Sequence, residues 1–207
     1  MIRSPLLEFD WLDHGFGTRD AAPPPDLTTA KQIHSAQVLD ACGRRGEQVG
    51  EGDAIVSAEP GVAIGIRTAD CVPILFADPE TRIVACAHAG WRGTAANIAA
   101  ATVDRMKALG ADPKNIRAAI GPSIGPCCYE VSPETAAHFD RWQKPSTGEG
   151  KPHLDLPAIN ERQLLEAGVH RIWTSGECTY CRADRYFSFR REKEQAGRML
   201  SFVSRTR

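Results

Sequence analysis

Two short stretches place chemically capable side chains beside apolar runs. In Ile83–Gly93, IVACAHAGWRG, the run ending at Ala87 is short and bounded like a buried strand, and His88 follows it before a glycine-flanked turn. In the second, TADC, Asp70 and Cys71 lie between the apolar segments Gly61–Ile66 and Val72–Phe76. Strand ends fix the backbone on both sides of such groups while leaving them open to a cleft. Thiolate and neutral imidazole are zinc ligands, and a catalytic zinc keeps three protein ligands and one open position. His34, Cys71 and His88 would make a set of that kind. They are far apart in sequence and match no local ligand motif. On spacing alone, a hydrogen-bonded histidine and a buried thiol compete with the metal reading.

Other groups have two readings each. Asp70, next to Cys71, either orients a ligand and shuttles protons or stabilises a turn. Arg19, Arg67, Arg92, Arg190 and Arg191 carry planar forks suited to phosphate, although most arginines are simply solvated. Trp91 could stack on a flat ligand or fill core. Cys178-Thr179-Tyr180-Cys181 is C-x-x-C, half of a structural zinc site or a redox pair. Its nearest complement is Cys127-Cys128. Neighbouring cysteines rarely turn both sulfurs toward one tetrahedral ion, so structural or solvent-side thiols are expected there. No dinucleotide fingerprint, phosphate-binding P-loop or G-x-S-x-G elbow occurs.

The elements that must position these groups alternate between strand and helix. Lys31–Leu39 is expected as a strand, and Asp53–Val56 opens another ordered piece. Thr94–Leu109 has helical spacing and ends at Gly110. Arg117–Ile120 is a strand candidate that runs into the tight GPSIGPCCYEV. Ser132-Pro133-Glu134 is a helix start, with the helix running to about Trp142. Gln143–His153 reads as a mobile loop and Leu156–Ala167 as a helix. Arg171–Trp173 reads as a strand, Cys178–Arg191 as loop then strand, and Met199–Val203 as a final strand. The expectation is mixed α/β architecture in one domain over 1–207.

The 207 residues suffice for one proper core, and the net charge of −1 gives no global attraction for nucleic acid or an anionic membrane. No apolar segment is long enough to span a bilayer, and the N-terminus lacks a signal-peptide core. The odd count of seven cysteines points to a reducing cytoplasm. No feature specifies an oligomeric state.

Several segments together resemble one family. They are KQIHSAQV around His34, DAIVS from Asp53, RTADCVPILFADP from Arg67, VACAHAGWRGTAANI from Val84, AAIGPSIGPCCYEV from Ala118, and CTYC followed by YFSFRRE and GR. In this order they are similar to the YfiH-type, or laccase-domain, family of purine nucleoside enzymes, historically called polyphenol oxidases. The resemblance runs from His14 to Val203, and the combination of TADC, HAGWRG and GPSIGPCCYEV is specific.

That resemblance implies a single-domain α/β sandwich with mixed β-sheets. It implies a zinc ion on His34, Cys71 and His88. It also implies phosphorolysis of adenosine and inosine by inorganic phosphate, with deamination of adenosine and cleavage of methylthioadenosine in some members. Asp70 is the expected catalytic residue, and Arg19, Gln32 and Arg190 are the expected substrate-binding residues. The chain departs from the pattern after Arg19, where Asp20 and a proline run replace a glycine- and serine-rich segment, and QIHS replaces QVHG. Two rival readings are a copper-dependent polyphenol oxidase and a zinc-stabilised, non-enzymatic binding protein. Copper is disfavoured: of the six histidines, His14, His138, His153 and His170 sit in loop-like or helical contexts with no HxH pairing.

Overall fold

Val72–Ala77 and Val84–Ala89 pair antiparallel, Ile74 facing Ala87, and every residue of both is buried. A continuous apolar run is what a strand covered on both faces requires. The computed structural model describes residues 1–143 and 150–206. Its strands are β1 (Leu12–Gly15), β2 (Thr29–Lys31), β3 (Val38–Asp40), β4 (Gln48–Glu51), β5 (Ala54–Ser57), β6 (Ala63–Thr68), β7 (Val72–Ala77), β8 (Val84–Ala89), β9 (Arg117–Ile120), β10 (Arg171–Thr174) and β11 (Met199–Arg205). Its helices are α1 (Trp91–Ala95), α2 (Ile98–Ala108), α3 (Pro133–Ala137), α4 (Leu156–Glu166) and α5 (Phe189–Glu192).

The central sheet has the order β10-β9-β7-β8-β5-β3. Its outer pairs, β10 with β9 and β3 with β5, are parallel, and the inner pairs are antiparallel. Side chains alternate across it, as the two-residue strand period demands. Val72, Ile74, Phe76, Ala85 and Ala87 face Ile98, Val103 and Met106 of α2 and Ile159 and Leu164 of α4. Leu75, Ala77, Val84 and Cys86 face the opposite way, toward Ile64, Ile66 and Val203 of a second sheet ordered β1-β11-β6. The result is helices, mixed sheet and antiparallel sheet in three layers, the α/β sandwich expected from the resemblance. Among the described residues, no helix is long and apolar enough to cross a membrane.

Several elements differ from the expectations. Lys31–Leu39 is not one strand: β2 ends at Lys31, β3 begins at Val38, and His34 between them has a positive φ of 60°. The cause is Asp53, whose carboxylate accepts the backbone N–H groups of Ile33, His34 and Ser35 and curls the segment around itself. The single helix over Thr94–Leu109 is broken at Asn97, which adopts the left-handed conformation that asparagine tolerates. Thr94 is buried against α4, where Gln163 donates to its carbonyl and Asn160 to its hydroxyl.

α3 stops at Ala137, and the chain to Trp142 continues as turns. Cys178–Arg191 holds no strand: Ser188 caps α5 by accepting from the Arg191 N–H. His14 is in strand β1, not a loop. Of the expected mobile loop Gln143–His153, residues 144–149 lie outside the described residues. At its ends, Gln143 accepts from the Asp155 N–H and His153 bridges to Glu130.

Candidate metal centre

β6 ends at Thr68 and β7 begins at Val72, so Asp70 and Cys71 occupy the short connection between two core strands. β8 runs antiparallel beside β7 and brings His88 opposite Pro73. The loop curled around Asp53 delivers His34. The ligand atoms of His34, Cys71 and His88 all lie within 4.8 Å of one another. The two imidazole rings meet edge to face at 4.9 Å between centroids. Gly90 keeps the space open: a Cβ there would stand 3.0 Å from the Cys71 sulfur and 3.2 Å from His34 Cδ2.

Asp53 is fully buried beneath this group, and its Oδ1 lies 2.9 Å from Nδ1 of His88. Its other oxygen also accepts the Ser35 hydroxyl. One carboxylate thus orients two ligands, the His88 ring directly and His34 through its backbone. Nδ1 of His88 faces the carboxylate, which leaves Nε2 as its ligand atom. Burial opposes a charge on His88, but Asp53 and the Cys71 sulfur outweigh it and raise the imidazole from 6.5 to about 9. Burial also opposes a Cys71 thiolate, and hydrogen bonds from His34 and His88 outweigh it, lowering the thiol from 9.0 to about 6. Two imidazoles and a readily formed thiolate are a zinc donor set with three protein ligands. All three line a cleft, and His34 is exposed.

That cleft has a volume of about 740 Å³, in the range of small-molecule sites. Asp70, Gln32 and Arg190 line it together with His34, Cys71 and His88. Asp70 is largely engaged: it accepts from Thr179 Oγ1 at 2.6 Å, Ser188 Oγ at 3.0 Å and the Arg190 N–H at 2.9 Å. A carboxylate has about four acceptor positions, so one is left, on Oδ1. The Gln32 amide exchanges two hydrogen bonds with the Arg67 backbone, each 2.8 Å, and ties the His34 loop to β6. The Arg190 guanidinium donates to the Glu130 carbonyl and lies over the Tyr129 ring.

Arg19 is not among the cleft residues. Its guanidinium donates to the Ala183 and Tyr186 carbonyls, pairs with Glu192 and covers Phe187. It anchors the segment that carries Arg190 from behind.

Sequence reasoning passed over several cleft residues. Tyr129 and Phe189 offer aromatic faces, and Lys193 and Arg198 join Arg67 and Arg92 in a cationic rim. Among the described residues the side chains of Arg67, Arg92 and Lys193 have no hydrogen-bond or ion-pair partner. Burial raises the Tyr129 hydroxyl from 10.0 to about 12, so it stays a proton-bearing donor. The available signal was its place in GPCCYEV, a segment forced by glycine and proline to pass close to the cleft.

A second group of sulfurs corrects an expectation. Cys127, Cys128, Cys178 and Cys181 have their sulfurs within 4.8 Å of one another. The adjacent pair can face one point because Pro126–Cys128 form a tight turn, closed by Cys128 N–H and Tyr129 N–H donating to Gly125. In extended chain the two would point to opposite sides.

The model of the family described as multi-copper polyphenol oxidoreductase laccase matches residues 17–206. The chain belongs to that family. A protein named purine nucleoside phosphorylase from Deinococcus radiodurans is 43% identical over 183 residues, spanning 86% of this chain and 70% of its own length. A protein named adenosine deaminase RL5, from an unknown prokaryotic organism, is 40% identical over 199 residues, spanning 87% and 75%. The crystal structure of YlmD from Geobacillus stearothermophilus superposes with a TM-score of 0.88 at 30% identity, covering 99% of this chain and 94% of that one. The YfiH-type resemblance is thereby borne out in sequence and fold, and this member of the family is an enzyme.

Proposed function

We propose that the chain is a zinc-dependent purine nucleoside phosphorylase that acts on adenosine and inosine and also deaminates adenosine. The convergence of His34, Cys71 and His88 at the base of a cationic cleft carries this reading. Relatives named for both activities support it. Zinc bound there would supply Lewis acidity toward an oxygen or nitrogen of the substrate and acidify a water.

The chain's own groups divide the remaining work. In phosphorolysis a phosphate oxygen attacks C1′ of the ribose while the C1′–N9 bond breaks. The purine leaves with the bonding pair and takes up a proton. Arg67, Arg92 and Lys193, without hydrogen-bond or ion-pair partners among the described residues, would hold the phosphate by charge-assisted hydrogen bonds. Arg190, fixed by Asp70 through its backbone, adds charge to the cleft. Phe189 and Tyr129 flank the space with ring faces suited to a purine, and the Tyr129 hydroxyl can donate to it. In deamination, the free acceptor position of Asp70 is placed to receive a proton from water and return it to the departing amine. Arg19 assists by keeping the Ala183–Glu192 segment against the cleft.

Incubation with adenosine and inosine, with and without phosphate, tests the proposal. Base plus ribose-1-phosphate, formed only with phosphate, is the expected product of both nucleosides; inosine from adenosine without phosphate reports deamination. Copper bound at the same site, with phenol oxidation and no nucleoside turnover, would overturn it.

A further inference from the structure

The four clustered cysteines lie outside the metal centre described above and take no part in the proposed reaction. Cys127 and Cys128 come from the turn after β9; Cys178 and Cys181 come from the segment after β10, fifty or more residues away. The two segments are joined by backbone bonds: Thr179 N–H donates to Ser123 at 3.0 Å and Ser123 N–H to Glu177 at 3.3 Å. The Cys181 sulfur lies 3.4 Å from that of Cys128 and 3.7 Å from that of Cys127.

Four thiolates about 2.3 Å from one tetrahedral zinc stand about 3.8 Å apart. These two separations are close to that edge, all four sulfurs lie within 4.8 Å of one another, and both separations are far longer than a disulfide bond of about 2.05 Å. One further feature fits a cation at the centre. The Gly125 N–H donates to the Cys178 sulfur at 3.3 Å, the kind of backbone bond that steadies a thiolate.

The geometry points to a second, closed metal site in which Cys127, Cys128, Cys178 and Cys181 bind one zinc ion and clamp the wall of the cleft. Four protein ligands leave no open position, so the ion is structural. It would be redox-inert and would fasten two segments that carry little regular structure. The Cys178–Cys181 loop is also connected to the first site. Thr179, between the two cysteines, donates to Asp70, the neighbour of Cys71. Arg191 donates to the Thr179 and Tyr180 carbonyls and pairs with Glu192, tying the Cys178–Cys181 loop to α5. Tyr129 follows the first cysteine pair directly and lines the cleft.

The test uses the full chain purified anaerobically, with zinc as the probe. Wild-type protein is expected to hold one ion more per chain than His88→Ala, and the double variant Cys178→Ser/Cys181→Ser also one ion fewer than wild type. Two measurements do not depend on the folding of the cysteine variant. His88→Ala loaded with cobalt(II) should show the intense sulfur-to-metal absorption of a tetrathiolate site. In wild type, alkylation should spare the four cysteines until a chelator is added, while exposed Cys42 reacts in both states. Equal labelling of the four and Cys42 in zinc-loaded protein, disulfides among the four, or absence of the cobalt band would overturn the inference. An iron–sulfur chromophore would overturn it as well. Loss of nucleoside turnover with this site intact would count only against the proposed function.

Discussion

Oδ1 of Asp53 and Nδ1 of His88 stand 2.9 Å apart, both residues shut away from solvent beneath the cleft. The same carboxylate takes the N–H groups of Ile33, His34 and Ser35, so two of the three candidate metal ligands depend on one side chain just ahead of β5. Carboxylates behind metal-bound histidines are worth roughly 10- to 100-fold in metal affinity. Asp53→Asn keeps the shape but removes the charge, and is expected to weaken zinc binding by about that factor, measured by competition with a chelator. Asp53→Ala also strands the loop N–H groups and should lower stability by about 3 kcal/mol or more in denaturant titration. Unchanged zinc affinity in Asp53→Asn would show that the carboxylate does not support the metal.

Gly90 supplies a second test, through space instead of charge. Its φ of −70° suits any residue, so Gly90→Ala strains no backbone. The new methyl would press on the Cys71 sulfur at 3.0 Å and on the His34 ring at 3.2 Å. Zinc content and activity should both fall, while the thermal midpoint of metal-free protein stays near that of metal-free wild type. Full zinc occupancy in this variant would mean that the two ligands do not converge where Gly90 leaves room.

The legibility of these features in the sequence follows from the range of the interactions involved. β7 and β8 were readable because strands buried on both faces show as unbroken apolar runs. Cys71 and His88 were readable because they stand at the ends of those runs. The role of Asp53 was not, because it arises from N–H groups about twenty residues away that converge only after the Ile33–Ser35 loop curls. The same convergence explains why the expected strand over Lys31–Leu39 broke in two. The cysteine cluster was misjudged for a local reason: the alternation of neighbouring side chains holds in extended chain and fails in the turn at Pro126–Cys128. Arg19 has the right chemistry for phosphate, and only the packing of Ala183–Glu192 shows that its donors are engaged elsewhere.

His14 makes stability depend on pH. It is buried in β1, accepts the Ser4 N–H through Nε2, and has no partner for Nδ1. Burial, reinforced by nearby Arg3, lowers its pKa from 6.5 to about 4. Between those values the unfolded chain binds the proton and the folded chain does not. This contribution is fully present above pH 6.5, declines as pH falls toward 4, and amounts to about 3 kcal/mol at most. His14→Gln keeps an acceptor for Ser4 and does not titrate. The stability difference between wild type and variant should therefore drift in favour of the variant as pH drops from 7 to 4. A constant difference would mean that His14 titrates alike in the folded and unfolded states and that burial does not shift it.

Arg67 separates the two proposed reactions. Its backbone is fixed by Gln32 while its side chain is exposed on the cleft rim without a hydrogen-bond or ion-pair partner, and it lies near the end of β6, just before the candidate ligand Cys71. Phosphorolysis needs a bound anion and deamination does not. A charge-assisted hydrogen bond is worth about 1.5–3 kcal/mol, which corresponds to roughly a tenfold or greater loss of affinity when it is removed. Arg67→Ala should raise the KM for phosphate by about that factor, leave the zinc content as in wild type, and change adenosine deamination little. Arg67→Lys keeps the charge but not the fork and should recover part of the loss. Equal damage to both reactions would place Arg67 on the nucleoside instead, and no damage to either would leave the anion to Arg92 and Lys193 on the same rim.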